Sequence, residues 1–456
     1  MRIVMKFGGT SVGNAEAFKR VTDMINANLN RNPVIVVSAV AGTTDLLINS
    51  ANAVVRKEIK VDDAIKAIRE KHDRITAELG LEKSLLDAEF DELKRILDGV
   101  CLLQELTKRT MDYVMSFGER MSAKILAECL RKNKTDAKAY NAWDLGLVTN
   151  SEFGDAKPLP ESEENVKRSL ADAGGHIPVI TGFVAKDKDG EITTLGRGGS
   201  DFTASLIGAY LRADEIWIWT DVDGILTADP RMVKDAKLMD RLSYNEASEL
   251  SYFGAKVIHP RTVWPAIERG IPIRIRNTFN PQCEGTIITK DRNTNGNIVR
   301  AITTIKDLSI INVVGCGMAG VPGIAAKIFS AVSTTGANVL MISQASSENT
   351  ICFVIHEKDR EKVVKELGTE LEGFIEDKIL NKIVSKDDVA IITIVGDGMA
   401  GRPGVAAKFC NALAENGISI IAIAQGSSES SISVAINQAD VAKAANSVHS
   451  DFGLGN

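Results

Sequence analysis

Two glycine-rich segments of this sequence stand beside charged residues, a combination that can bind phosphate. The first is KFGGTSVG at 6–13, in which Lys6 precedes Gly8 and Gly9. Glycines lack a Cβ atom, so backbone N–H groups can approach a phosphate, and a following helix adds its positive N-terminus. No G-x-x-x-x-G-K-[ST] pattern occurs, so this is not a P-loop. Two glycines alone would indicate a plain turn, but the adjacent lysine favours an anion site.

The second segment is LGRGGSDFTA at 195–204, which also precedes an apolar, helix-like stretch. Arg197 can bind a carboxylate or phosphate through two parallel hydrogen bonds. Asp201 falls in the predicted first helical turn, where it could cap the helix or orient a cation such as Lys6. Two such loops in one domain predict that two anionic ligands meet there.

Polar residues also follow a strand-like run at TDVDGI (220–225) and ADPR (228–231). Ligands bind at this end of strands in open α/β sheets, but Asp-Gly and Asp-Pro are equally typical of turns. Spacing alone leaves the two interpretations open. Weaker segments are Ser38 with GTTD (42–45), SFGE (116–119) and FGAKVIHP (253–260), each of which alone is more often structural.

The elements that must position these residues alternate between apolar strands and helices. Near-continuous apolar runs at 2–7, 34–38, 178–183, 215–220 and 271–276 suit strands that are covered on both faces. Their alternation with helical stretches predicts a parallel or mainly parallel sheet. Residues from about 50 to 110 interrupt this order as charged amphipathic helices, which we interpret as a helical insertion with solvated charges.

The last third of the chain contains a duplication. Residues 311–355 and 392–436 align without a gap at an offset of 81, with 21 of 45 positions identical. Each copy contains G-x-G-x-x-G between a strand and a helix, the context of a dinucleotide-binding fingerprint. However, each copy has a single crossover, and no acidic residue ends its second strand. A nicotinamide-dependent oxidoreductase is therefore disfavoured.

Composition excludes several classes of protein. A chain of 456 residues favours two or three domains, and a net charge of −6 disfavours a nucleic-acid partner. The six cysteines contain no CxxC pair, which predicts neither a zinc site nor a disulfide framework. The N-terminus lacks a long apolar segment and no run is long enough to span a bilayer, so we expect a cytoplasmic protein.

Taken together and in this order, the segments resemble those of the aspartate kinases of the amino acid kinase family. The resemblance covers essentially the whole chain, from KFGGTSV through VVSA, SFGE, GRGGSDFTA, TDVDGI, DPR and FGAKVIHP to two repeats that resemble ACT domains. It implies an α/β fold: an αβα sandwich with a mainly parallel sheet, followed by two ACT units of βαββαβ type. It places the kinase domain at 1–295, the first ACT unit at 306–385, and the second at 298–305 with 386–456. The strand 298–305 should accordingly pair with the second repeat.

The resemblance also implies a role for individual residues. Lys6 and Asp201 would be catalytic, with Asp201 organising Lys6 at the transferring phosphate. Glu119 would hold the α-amine of aspartate and Arg197 its α-carboxylate. The remaining substrate-binding residues would be Ser38, Thr44, Gly199 and Ser200. The nucleotide-binding residues would be Gly8, Gly9, Thr220, Asp221, Arg231 and Lys256. Leu226 departs from the tyrosine of many relatives, which affects only a packing contact near the nucleotide.

The expected chemistry agrees with these residue types. A carboxylate is already ionised at neutral pH, so it needs no general base to attack phosphorus. The site must instead overcome the repulsion between two anions and hold them in line, with Mg²⁺ arriving on ATP and no protein side chain predicted as a metal ligand.

Each repeat ends its second strand in a matching pair of residues, Ile342 with Gln344 and Ile423 with Gln425. A buried glutamine amide both donates and accepts, which suits a ligand hydroxyl. We therefore expect an amino-acid effector at these residues, threonine rather than lysine, and a homodimer or higher homo-oligomer formed through the ACT units.

Two alternatives stay open. One is another kinase of the same fold, such as a glutamate, acetylglutamate or uridylate kinase, which the repeats disfavour. The other is a catalytically inactive amino-acid sensor, which the intact charged residues disfavour. The chain ends soon after the second repeat, so we expect no homoserine dehydrogenase domain.

Overall fold

The structure is a computed structural model that describes residues 1–171, 174–252, 260–291, 297–345, 347 and 349–455. The chain forms two compact units. The first unit comprises the described residues of Met1–Ile225, Leu238–Ser248 and Lys256–Arg292. The second comprises the described residues of Leu226–Lys237, Glu249–Ala255 and Asn293–Asn456.

The strands of the first unit form two sheets. They are β1 Ile3–Phe7, β2 Val34–Val37, β3 Ala137–Tyr140, β4 Val148–Thr149, β5 Ile177–Thr181, β6 Val184–Asp187, β7 Ile192–Thr194, β8 Glu215–Thr220, β9 Arg241–Ser243, β10 Ile273–Asn277 and β11 Thr286–Thr289. The main sheet has the order β3-β5-β2-β1-β8-β10-β11-β9, and only the β10–β11 pair is antiparallel. The predicted mainly parallel sheet is therefore confirmed. The small β4-β6-β7 sheet was not predicted, because strands of two to four residues leave little sequence pattern.

Helices cover this sheet and fill the predicted insertion. Those that begin in the first unit are α1 Ala15–Asn26, α2 Thr43–Val55, α3 Val61–Glu78, α4 Asp87–Leu103, α5 Lys108–Lys132, α6 Glu161–Ala171, α7 Gly199–Leu211, α8 Tyr244–Tyr252 and α9 Pro260–Arg269. On α4 the buried residues Phe90, Leu93 and Leu97 recur at helical spacing. They belong to the same apolar core as Ile3 and Ile35 of the sheet, so the insertion is an integral part of the first unit.

The second unit contains one six-stranded antiparallel sheet. Its strands are β12 Ala301–Val314, β13 Met341–Gln344, β14 Thr350–His356, β15 Lys382–Val395, β16 Ile420–Gln425 and β17 Ser431–Asn437, in the order β13-β14-β12-β15-β17-β16. Its helices are α10 Ile324–Thr334, α11 Arg360–Glu370, α12 Glu372–Glu376, α13 Val405–Ala414 and α14 Val441–Asp451.

The two repeats exchange strands within this sheet. Residues Ala301 to Ile305 of β12 pair with Val395 to Ile391 of β15. Residues Leu308 to Val314 pair on one side with β14 of the first repeat and on the other with the first half of β15. Of the strand expected at 298–305, Ala301 to Ile305 are strand and pair with the part of β15 that enters the second repeat. One face of the sheet packs on α10 and α11 and on α13 and α14, and the other buries Leu308, Met341, Val389 and Ala422.

None of the described helices is both long and apolar enough to cross a membrane.

Candidate active site

A cavity of about 740 Å³ in the first unit gathers nine of the fourteen residues predicted for catalysis or for binding substrate and nucleotide. It lies where β1 and β2 end and where α2 and α7 begin. The predicted residues that line it are Lys6, Gly9, Ser38, Thr44, Glu119, Arg197, Gly199, Ser200 and Asp201. Because the carboxyl ends of parallel strands share one edge of a sheet, segments far apart in sequence converge here.

Lys6 and Asp201 form an ion pair in this cavity. The Nζ atom of Lys6 lies 2.5 Å from Oδ1 of Asp201, and both side chains are largely buried. Asp201 is in the first turn of α7, but the N-cap of that helix is Gly198, which adopts a left-handed conformation. The capping role considered for Asp201 is therefore wrong, and its carboxylate holds the lysine ammonium instead.

Glu119 is a buried carboxyl group on α5, with only 3% of the residue exposed. Its Oε1 accepts a hydrogen bond from the backbone N–H of Ala39 at 3.0 Å, whereas its Oε2 has no hydrogen-bond partner among the described residues. Burial raises the pKa of Glu119 to about 8. A carboxylate in this position would be stabilised by a bound cation, since a cation offsets its desolvation.

The close packing behind Glu119 depends on a glycine. A Cβ atom at Gly118 would lie only 2.6 Å from the Cβ of Ala39. Only glycine at this position lets α5 approach the loop after β2 closely enough for the Ala39 hydrogen bond to form.

Arg197 lies on a turn at the wall of the same cavity. Gly196 and Gly198 on either side of it have φ angles of 72° and 71°, so the backbone bends on both sides of the arginine. Arg197 is exposed, and its guanidinium pairs with no carboxylate in the part of the chain that the structure describes. It is therefore free to bind an anionic ligand.

The predicted nucleotide residues are more dispersed. Gly8 follows β1 and donates its N–H to the carbonyl of Trp219 at 3.2 Å, next to Thr220 at the end of β8. Asp221 is exposed and accepts from the Thr220 hydroxyl at 3.1 Å. These residues share the sheet edge with the cavity but do not line it.

The second aspartate of TDVDGI has a structural role. Oδ1 of Asp223 accepts hydrogen bonds from Asn277 at 2.8 Å and Asn280 at 3.1 Å. Asp223 thus ties its turn to the segment after β10, whereas Asp221 faces solvent and its assignment to the nucleotide stays a prediction.

Arg231 does not line the cavity. It belongs to the second unit and is exposed, and its guanidinium makes a two-point contact with Asp229, with distances of 3.0 Å and 2.7 Å. This contact lowers the pKa of Asp229. Lys256 lies outside the described residues.

Several residues that line the cavity were not predicted from the sequence, among them Met115, Phe183 and Thr194. Met115 lies four residues before Glu119 and thus on the same face of α5, so helical periodicity could have identified it. Phe183 ends the apolar run 178–183, which predicted a strand but no site, and Thr194 ends a three-residue strand that no pattern marked.

The four predicted effector residues lie on the two edge strands of the second unit. Ile342 on β13 and Ile423 on β16 are 49% and 47% exposed. Gln344 lines a cavity of about 340 Å³ together with Met318, Val321 and Ile324. Gln344 and Gln425 are both exposed in this single chain, so their burial, which was expected between paired ACT units, stays a prediction.

Comparison with known proteins places these observations in a family. The model of the amino acid kinase family matches residues 1–277, and an ACT domain model matches 311–371 and 392–452. The chain belongs to the amino acid kinase family. The ACT matches cover both repeats, which agrees with the rejection of a dinucleotide-binding fold.

Two similar proteins are plant aspartokinases. The chain is 39% identical to the chloroplastic bifunctional aspartokinase/homoserine dehydrogenase 1 of Arabidopsis thaliana over 99% of this chain and 51% of that protein. It is 36% identical to the chloroplastic aspartokinase 1 of the same plant, over 98% of this chain and 80% of that protein. The chain therefore spans about half the length of the bifunctional relatives.

Solved structures agree over the whole chain. Escherichia coli aspartokinase III in complex with aspartate and ADP (R-state) matches with a TM-score of 0.82 at 26% identity, covering 99% of both chains. Its complex with lysine and aspartate (T-state) matches with the same TM-score, identity and coverage. The predicted amino acid kinase fold followed by ACT domains is thereby confirmed.

Proposed function

We propose that this chain is an ATP-dependent kinase that phosphorylates the side-chain carboxylate of L-aspartate to 4-phospho-L-aspartate. The observation that carries the proposal is the convergence, in one cavity, of the Lys6–Asp201 ion pair with Glu119 and Arg197. The aspartokinase names of the relatives, and the aspartate and ADP complex of the E. coli enzyme, support the choice of substrates.

Each charged group of the cavity suits one group of aspartate. The partner-free Oε2 of Glu119 would accept from the α-ammonium, and the Arg197 guanidinium would bind the α-carboxylate through two hydrogen bonds. With both groups on the α-carbon held, the side-chain carboxylate would face Lys6. Ser38, Thr44, Gly199 and Ser200 line the same space and offer hydroxyl and backbone groups for further hydrogen bonds.

The transfer step depends on positioning and charge. The attacking carboxylate is already ionised, so the residues need only align it with the γ-phosphate and offset the repulsion between the anions. The Lys6 ammonium, oriented by Asp201, would stabilise negative charge on the transferring phosphoryl group.

The nucleotide would bind near the ends of β1 and β8, at Gly8, Gly9, Thr220 and Asp221. Arg231 and Lys256 are assigned to the nucleotide by the family resemblance alone. Mg²⁺ would arrive on ATP and be held by the substrate phosphates and water, because no protein side chain is predicted as a metal ligand. The ion would supply charge neutralisation on the ATP phosphates.

The ACT units would make the kinase sensitive to a free amino acid, and threonine is the effector that we propose. Gln344 beside its small cavity could donate to and accept from a threonine hydroxyl, and Gln425 is its equivalent in the second repeat. The lysine complex of E. coli aspartokinase III makes lysine the competing candidate.

Exposed Ile342 and Ile423 on edge strands support a homo-oligomer formed through the ACT units. The limits of the kinase domain and of the two ACT units, given above as 1–295, 306–385 and 298–305 with 386–456, are part of this proposal. The proposal also includes a cytoplasmic location and a role in the first step toward lysine, threonine and methionine.

The test is a hydroxamate assay, in which hydroxylamine traps an acyl phosphate formed from aspartate and MgATP. We expect aspartyl hydroxamate from aspartate and little from glutamate or acetylglutamate. Product from another acid alone would indicate a different kinase of the fold, and no product from any acid would indicate an inactive sensor. Repeating the assay with threonine and with lysine identifies the effector.

A further inference from the structure

One face of α5 carries a buried carboxylate that the proposed chemistry does not use. Asp112, Met115 and Glu119 follow one another at spacings of three and four residues, so they share a helix face. Met115 and Glu119 line the substrate cavity, whereas Asp112 is 1% exposed and lies outside the cavity lining.

Asp112 accepts hydrogen bonds from two other walls of the cavity. Its Oδ2 accepts from the backbone N–H of Gly154 at 2.8 Å and from that of Thr194 at 2.9 Å. Its Oδ1 accepts from the hydroxyl of Thr194 at 2.9 Å. Both partners line the cavity, so one carboxylate joins α5 to two separate loop segments. Burial raises the pKa of Asp112, and the three donors counteract this rise by favouring the charged form.

Thr194 is the last residue of β7 and the starting point of the turn that carries Arg197. The carbonyl of Thr194 also accepts from the N–H of Ala156 at 2.9 Å, so its backbone is fixed on both sides. Three residues later the chain reaches Arg197 between its two left-handed glycines. On the other side of the contact, Glu119 is seven residues beyond Asp112, about two turns along one rigid helix.

We propose that Asp112 is a positioning residue that fixes the spacing between Glu119 and the Arg197 turn. The inference rests on the proposed function, in which Glu119 binds the ammonium and Arg197 the carboxylate of one α-amino acid. These two groups are attached to the same carbon atom, so both contacts form together only when the spacing is correct. Asp112 would therefore determine the affinity for a substrate that carries both groups.

The test is Asp112→Asn. The uncharged amide can still accept from both backbone N–H groups through its single oxygen, with its NH₂ facing the Thr194 hydroxyl, but all three contacts lose the strengthening that the negative charge gives them. We expect KM for aspartate to rise at least about tenfold, a factor typical of losing a hydrogen bond to a charged group, while KM for ATP changes less than about twofold. Succinate lacks the ammonium and would contact Arg197 but not Glu119, so its binding does not depend on the spacing between them. Its inhibition constant should therefore rise much less than KM for aspartate.

Asp187→Asn is the matched control. Asp187 is nearly buried and its Oδ1 accepts backbone N–H bonds from Asp189 at 3.0 Å and Glu191 at 2.9 Å, but it does not line the cavity. This variant should lose thermal stability while both KM values stay unchanged. Thr194→Val removes only the hydroxyl bond to Asp112, so it should raise KM for aspartate less than Asp112→Asn does.

Several outcomes would overturn the inference. One is an Asp112→Asn protein whose two KM values change equally or not at all, as in the control. If that variant does not fold, an unchanged KM for aspartate in Thr194→Val decides against the inference. A wild-type protein that does not phosphorylate aspartate would instead refute the proposed function, before any variant is made.

Discussion

The substrate cavity of the first unit and the edge strands of the second unit present their candidate residues in opposite ways. In the cavity, Lys6 and Glu119 are largely buried, and neighbouring groups of the same unit fix each of them. On the edge strands, Ile342, Gln344, Ile423 and Gln425 are exposed. A buried charge interacts most strongly with a ligand when the protein already holds it in position. An exposed amide is not held in this way, so binding must first order it at a cost in conformational entropy. We therefore expect substitutions in the cavity to act on catalysis and those on the edge strands to act on regulation alone.

Lys6→Ala should reduce catalytic activity more than any other substitution in the cavity. Removing the ammonium leaves transferring phosphate charge unopposed, so we expect kcat to fall by about 1000-fold or more. Lys124→Ala is a matched control, because Lys124 forms an ion pair of the same length with the buried Glu89 but does not line the cavity. It should retain kcat within about twofold, as expected for a substitution outside the site. Near-normal turnover by folded Lys6→Ala protein would exclude the assigned role.

Arg197→Lys should affect one substrate selectively. Lysine keeps the charge but cannot form two parallel hydrogen bonds with a carboxylate, so KM for aspartate should rise about 10- to 100-fold. KM for ATP should stay nearly constant in the same steady-state measurements. A change confined to ATP would move Arg197 to the nucleotide site.

The buried Glu119 predicts a pH dependence. Its pKa of about 8 means that the free enzyme carries this carboxyl neutral at pH 7 and must ionise it to bind an ammonium. KM for aspartate should therefore fall by up to about tenfold per pH unit between pH 6 and 8 and level off above that. Glu119→Gln should bind aspartate weakly and show no such slope.

The same group affects stability with a definite sign. Because the folded-state pKa is raised above the ordinary value near 4.5, the stabilising effect of the neutral carboxyl is complete below pH 4.5 and is lost as the pH rises through 8. Glu119→Gln should consequently gain stability relative to wild type between pH 5 and 9, as measured by urea unfolding. If wild type instead became more stable relative to Glu119→Gln as the pH rises from 5 to 9, the assigned burial of Glu119 would be contradicted.

The smallest effects on basal activity should come from the edge strands. Gln344→Ala and Gln425→Ala should leave uninhibited kcat within about twofold, because exposed side chains contribute little to stability. Inhibition by threonine should weaken in both variants. Inhibition by lysine with threonine silent, or full threonine sensitivity in both variants, would refute the effector assignment.

The contrast between the two regions also separates what the sequence could and could not predict. Lys6, Asp201 and Arg197 were identified because glycines and charges adjacent in sequence form their segments. Asp112 and Thr194 were not, because their importance arises from a contact between residues 82 positions apart. The pairing of Ala301 to Ile305 with β15 was expected from the resemblance. The exposure of the glutamines was not, because it depends on which strands lie at the sheet edge, and the repeats alone do not reveal that.

The most direct test of the central claim follows one oxygen atom. Aspartate labelled with ¹⁸O in its side-chain carboxylate is incubated with MgATP, enzyme and hydroxylamine, and the released phosphate is examined by mass spectrometry. If the carboxylate attacks the γ-phosphorus, hydroxylamine then displaces phosphate from the acyl carbon, and each phosphate carries a single ¹⁸O atom. Phosphate without ¹⁸O would show that water is the acceptor, and would contradict the assignment of this chain as a kinase of the aspartate side chain.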